Sequence, residues 1–166
     1  TAGFIGFHLA RRLLRDGWRV VGVDNFVPYY DVDLKEARHE ILEQHDRFDG
    51  VRADVCNVEL VRNLFREHSI DEVVHLAAQA GVRYSLTHPF AYTEANVEGF
   101  LSILEGVRHA GLKRVIYASS SSVYGGNDDP PFSEEDRVDT PISLYAATKR
   151  ANELMAHTYT HLYGIQ

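Results

Sequence analysis

The chain has 166 residues, a hydrophobic fraction of 45% and a formal net charge of −7. That length suits one domain, and an acidic balance without a basic cluster argues against nucleic acid or an anionic membrane surface as main partner. No apolar run is long enough to span a bilayer, a signal peptide is not expected, and the single cysteine, Cys56, forbids an internal disulfide, so a reducing cytoplasmic setting is the default expectation.

In chain order, residues 3–15 place Ile5, Leu9, Leu13 and Leu14 at helical spacing, and Gly17 suits the stop. Residues 18–23 are a nearly continuous apolar run ending at Asp24, as a buried parallel strand would be. A loop with Pro28 and the Tyr29-Tyr30 pair leads to a charged helix over 34–44, expected to be exposed. A second strand is expected over 51–55, ending near Asp54, and a helix over 57–68 with Asn57 as N-cap. A strand over 72–77 precedes a loop over 79–89 and one long helix over 90–110, closed by Gly111. A strand over 114–119 runs into a long loop with Gly125-Gly126 and Pro130-Pro131, and the last helix covers 143–163.

Strands alternating with helices predict an α/β fold, a Rossmann-type doubly wound parallel sheet with right-handed crossovers. Ligands of such sheets bind at the carboxyl ends of the strands, where Asp24, Asp54, Ala77-Ala78 and Ser119-Ser120 fall. Residues 1–166 read as one partial dinucleotide-binding domain. The chain opens inside a glycine loop and stops just after a helix-ending glycine, so it is expected to be part of a longer protein, truncated at both ends.

Two patterns carry chemistry. Thr1-Ala2-Gly3-Phe4-Ile5-Gly6 opens a helix, where glycines let the backbone approach a pyrophosphate. Asp24 follows Gly6 at about the spacing expected of an acid that binds the adenosine ribose, which favours NAD over NADP. The second pattern is Tyr145 with Lys149 four residues on, one face of a helix, downstream of the serine run 119–122. Free tyrosine titrates near pH 10, and a nearby ammonium favours its phenolate form, which makes the pair a candidate base.

These motifs in order, with His75-Leu76-Ala77-Ala78 and Ser119-Ser120-Ser121-Ser122-Val123-Tyr124-Gly125, resemble the extended short-chain dehydrogenase/reductase family of nucleotide-sugar epimerases and dehydratases. The segments 24–31 and 77–85 resemble most the UDP-glucuronate 4-epimerases. The resemblance implies a reversible oxidation of a UDP-sugar at C4 through a 4-keto sugar, with bound NAD, and Ser120, Tyr145 and Lys149 as catalytic residues. Tyr145 would take the 4-hydroxyl proton. Ser120, or Ser121 if the register slips, would hydrogen-bond the 4-oxygen, and Lys149 the nicotinamide ribose.

By the same resemblance Gly3, Phe4, Ile5 and Gly6 meet the pyrophosphate, Asp24 and Asn25 the adenosine ribose, and Asp54 and Val55 the adenine. Leu76, Ala77, Ala78 and Gln79 line the nicotinamide side and Asn96 supports that loop. Arg83 is a candidate for the sugar carboxylate, a surface loop arginine being the plain alternative. A homodimer through the last helix is expected. The 4,6-dehydratases carry an Asp-Glu pair where this chain has Ser121 and Ser122, and decarboxylases usually have a glutamate in this segment. Those activities, a UDP-glucose or UDP-N-acetylglucosamine 4-epimerase, and a non-catalytic dinucleotide sensor are the alternatives.

Other features have plainer readings. His157 and His161 could share a metal, but no third ligand is evident, so no metal is expected. His75 is expected to be packed rather than catalytic, and Cys56, lacking a partner base, to be inert. Ser133 precedes an acidic stretch, Glu134-Glu135-Asp136, that reads as a solvated face or a helix start.

Overall fold

The computed structural model describes residues 1–166. Helix α1 (Phe4–Arg15) leads into β1 (Val20–Asp24), α2 (Val32–Glu43) and β2 (Phe48–Arg52). Then come α3 (Val58–Glu67), β3 (Val73–His75), a 3-10 turn (Tyr84–Leu86), α4 (Pro89–Tyr92), a π-helical stretch (Thr93–Glu98) and α5 (Gly99–His109). Strand β4 (Val115–Tyr117), a second 3-10 turn (Ser121–Tyr124) and α6 (Leu144–Tyr163) complete the order.

All strand pairing is parallel: β1 pairs with β2 from Val20 opposite Phe48, and β3 with β4 from Val73 opposite Val115. The strands form two ladders that are not bonded to each other. Each has its own core. Phe7, Ala10 and Leu14 of α1 and Leu42 of α2 close over the first ladder with Val20 and Phe48. Phe100, Leu104 and Val107 of α5 pack with Val115 and Ile165 on the second. Beyond Gly164, Gln166 exchanges two backbone hydrogen bonds with Lys113 and Val115, each 2.8 Å, so the chain pairs alongside β4 once α6 ends.

Caps placed the helices well. Asn57 accepts from the Leu60 amide at 3.1 Å and Ser143 from the Ala146 amide at 3.1 Å. Three expectations need correction. The second strand lies over Phe48–Arg52, upstream of the 51–55 expected, because pairing with β1 uses Phe48, Asp49 and Gly50, a stretch with little apolar signal. Helix α2 is not merely a charged exposed surface: Lys35, His39 and Leu42 are buried. The long helix over 90–110 is interrupted by the π-helical stretch Thr93–Glu98, an irregularity that hydrophobic spacing does not register.

Candidate active site

Gly3 stands as the N-cap of helix α1, which has no side-chain cap and no acidic residue in its first turn. The first amides of a helix have no partner within it, and with the helix dipole they suit an anion. Asp24 stands beside this turn at the end of β1. Its carboxylate accepts from the Ala2 amide at 3.0 Å and the Phe26 amide at 2.9 Å, and Lys35 Nζ lies 3.8 Å away. Burial pushes the Asp24 carboxyl up, while the Phe26 amide and Lys35 draw it down.

Asn25 donates to Asp54 at 2.9 Å and so ties the segment after β1 to the segment after β2. Asp54 also accepts from the Cys56 amide at 2.8 Å. Burial and then Asp54 push the Cys56 thiol up to about 12, which fits an inert thiol. Asp54 lies two residues past β2, outside the strand, and Val55 follows it half-buried.

On the other ladder, Leu76, Ala77, Ala78 and Gln79 follow β3, and both alanines are exposed. Asn96, buried in the π-helical stretch, grips the backbone of Gln79 at both ends: it accepts from the amide at 2.8 Å and donates to the carbonyl at 3.1 Å. It also donates to Thr148 Oγ1 at 3.0 Å, and its own carbonyl accepts from Asn152 at 2.6 Å. Thr148 in turn donates to the Tyr145 carbonyl at 2.8 Å. The loop after β3 and the helix bearing Tyr145 are therefore one hydrogen-bonded unit. Gln79 Nε2 is buried without a protein partner.

At the end of β4, Lys149 Nζ donates to the Ala118 carbonyl at 3.1 Å. Burial lowers the Lys149 ammonium below the usual lysine value. One turn on, Glu153 accepts from Ser119 Oγ at 2.5 Å and pairs with Arg150 at 2.8 Å. Ser119 is thus committed to α6. Ser120 Oγ accepts from the Ser122 amide at 3.2 Å and keeps its own proton available, while Ser121 is exposed. The half-buried Tyr145 ring stands edge-on to buried Tyr92, with centroids 6.0 Å apart.

The remaining candidates sort as follows. Arg83 is exposed; its carbonyl accepts from the Leu86 amide at 3.2 Å, and its side chain makes no hydrogen bond or ion pair. His75 is buried against Phe100 at 5.3 Å, and burial, then the Lys149 charge, lower it to about 4. His157 and His161 are exposed, and no group of three His, Cys, Asp or Glu comes together. Ser133 begins a turn rather than a helix: Asp136 accepts from its amide at 2.9 Å and from Asn127 at 3.1 Å.

Sequence reasoning missed Lys35, Tyr92, Thr148, Asn152 and Glu153. Glu153 carried a signal, four residues after Lys149 on one helix face. Lys35 carried none, because a charged helix gives no sign that one lysine is buried.

The GDP-mannose 4,6-dehydratase family model matches residues 1–166. An uncharacterised protein of Methanocaldococcus jannaschii is 54% identical over 100% of this chain and 52% of its own length. UDP-glucuronate 4-epimerase 4 of Arabidopsis thaliana is 50% identical over 99% of this chain and 38% of its own. A crystal structure of UDP-glucuronic acid 4-epimerase from Bacillus cereus, in complex with UDP-glucuronic acid and NAD, aligns with a TM-score of 0.89 at 36% identity, covering 99% of this chain and 51% of that one. The chain thus spans about half the length, or less, of these relatives. It belongs to the extended short-chain dehydrogenase/reductase family of epimerases and dehydratases, and within that family it is most like the UDP-glucuronate 4-epimerases.

Proposed function

We propose that the protein bearing this chain is an NAD-dependent nucleotide-sugar 4-epimerase that interconverts UDP-glucuronate and UDP-galacturonate. One observation carries the reading: Lys149, on the helix face of Tyr145, bonds to the Ala118 carbonyl directly before the serine run. This bond holds the helix that carries Tyr145 and Lys149 against the carboxyl end of β4, where the serine run starts. The relatives whose names specify this reaction support the choice of sugar.

The residues fit a dinucleotide. The uncapped α1 terminus would offer amides to a pyrophosphate, Asp24 and Asn25 would meet the ribose, and the buried, unpartnered Gln79 side-chain amide would face the nicotinamide. Gly3, Phe4, Ile5, Gly6, Asp24, Asn25, Asp54, Val55, the segment 76–79, Asn96, Tyr145 and Lys149 would hold NAD. When bound, it supplies a reversible hydride acceptor at sugar C4. Tyr145 takes and returns the 4-hydroxyl proton. Ser120 donates to the 4-oxygen and fixes its position, with Ser121 as the neighbouring substrate contact. Lys149 keeps a positive charge on the base's side of the site. Arg83, free of other partners, is the candidate for the sugar carboxylate.

Dehydration is disfavoured because Ser121 and Ser122 offer no general base for elimination. No helix is long and apolar enough to cross a membrane, and we place the protein in the cytoplasm. Exposed Leu101 on α5 and Leu154 and Leu162 on α6 support a homodimer through these helices, which light scattering tests.

The reaction class is tested by turnover in deuterated water. An epimerase returns the substrate's own hydrogen to C4, so the product gains no carbon-bound deuterium and keeps its mass. Loss of water with deuterium uptake indicates a dehydratase, and loss of carbon dioxide a decarboxylase.

A further inference from the structure

The turn between β1 and α2 carries adjacent tyrosines that the chemistry above does not use. Tyr30 faces the glycine loop: a Cβ built on Gly3 would lie 3.9 Å from its hydroxyl. Arg38 donates to that hydroxyl at 3.1 Å and to the Ala2 carbonyl at 3.4 Å, and Lys35 sits 4.9 Å over the Tyr30 ring.

Tyr29 reaches the opposite loop. Its ring meets Tyr84 edge-on with centroids 5.0 Å apart. Its hydroxyl approaches Gly81 so closely that a Cβ there would come within 2.6 Å. Gly81 has a φ of 90°, a conformation other residues rarely adopt. From the inner side, the buried Tyr92 hydroxyl lies 2.7 Å from the Ala80 carbonyl and 2.5 Å from that of Gly81, donating between them. Residues 80–84 are thus held between Tyr29 and Tyr92.

One short turn therefore touches both loops between which a dinucleotide would lie, the glycine loop before α1 and the loop after β3. We infer that Tyr29 and Tyr30 form a strap across the dinucleotide groove, with the Tyr29–Tyr84 contact as its latch, and that the strap holds the cofactor between turnovers. This rests on the dinucleotide reading above. A reaction that ends with its cofactor in the starting redox state has no need to release it, and a strap from one side of the groove to the other slows that release. The latch is a contact between side chains, not a chain connection, so it can open for loading.

The test is the release rate of NAD from the intact, preloaded protein, followed by displacement with a fluorescent NAD analogue. Tyr29→Ala and Tyr84→Ala should each release NAD about fivefold faster, within the worth of one aromatic pair. The double variant should be no faster than either alone, because both remove the same contact. Tyr29→Phe should release at the wild-type rate. Thermal melting of each variant with and without NAD checks that the fold persists. Wild-type release by Tyr29→Ala, or multiplying effects in the double variant, overturns the strap and leaves the cofactor reading standing. A wild-type protein that binds no NAD overturns both.

Discussion

Asn96 donates to Thr148 Oγ1 at 3.0 Å, joining a π-helical turn to the helix that carries Tyr145 and Lys149. Because Asn96 also closes both backbone bonds of Gln79, one buried amide aligns the loop after β3 with the base. Asn96→Ala should cost about 2–4 kcal/mol in a urea titration, since it strands several buried polar groups. Thr148→Val, which strands fewer, should cost less. Equal costs would show that the network is not shared.

Tyr145→Phe removes the proton acceptor and leaves the aromatic packing against Tyr92. Turnover should fall by about 10²–10⁴ while NAD binding persists. Binding without turnover also argues against a pure dinucleotide sensor, which would have no activity to lose.

The serine run gives a register test. Ser119 is tied to Glu153 at 2.5 Å, whereas the Ser120 proton is available. Ser120→Ala should lower kcat by about 10²-fold or more, in the range of one positioned hydrogen-bonding group. Ser119→Ala should have the smaller effect. The reverse order would move the catalytic hydroxyl by one residue.

Acid should destabilise the protein through His75. Its imidazole is held neutral, down at about 4 against an ordinary 6.5. Between those values the unfolded chain binds the extra proton, so this contribution is full above pH 6.5 and is lost as pH falls towards 4. The loss amounts to about 3 kcal/mol. His75→Phe should flatten stability across that window in urea titrations at several pH values. An unchanged slope would mean that other groups control acid unfolding.

Helix α5 approaches α3 at Gly106, where a Cβ would meet the Phe65 ring at 2.4 Å. Gly106→Ala gains about 1 kcal/mol of helix propensity but overpacks this contact by about 1–3 kcal/mol. A net loss of Tm is expected. A rise would show that the Phe65 ring turns aside at little cost.

Much of this was legible in the sequence because it depends on local pattern. Asn57 and Ser143 announce their helices, Gly17 and Gly111 close theirs, and Tyr145 and Lys149 declare a shared face. What stayed hidden depends on tertiary contact. The start of β2 at Phe48 is fixed by its pairing with Val20, not by its own apolarity. Lys35 is buried because it bonds to the Val27 carbonyl at 3.0 Å beside Asp24, in a helix that otherwise reads as solvated. The π-helical stretch exists where Asn96 serves two elements at once, a demand that no spacing within residues 90–110 records.

The most direct measurement is proton NMR of the anomeric signals of UDP-glucuronate incubated with the intact protein and no added reductant. The account predicts growth of UDP-galacturonate signals to equilibrium, with no pentose product and no net NADH. Unchanged UDP-glucuronate, alongside turnover of UDP-glucose or UDP-N-acetylglucosamine, would contradict the assigned substrate.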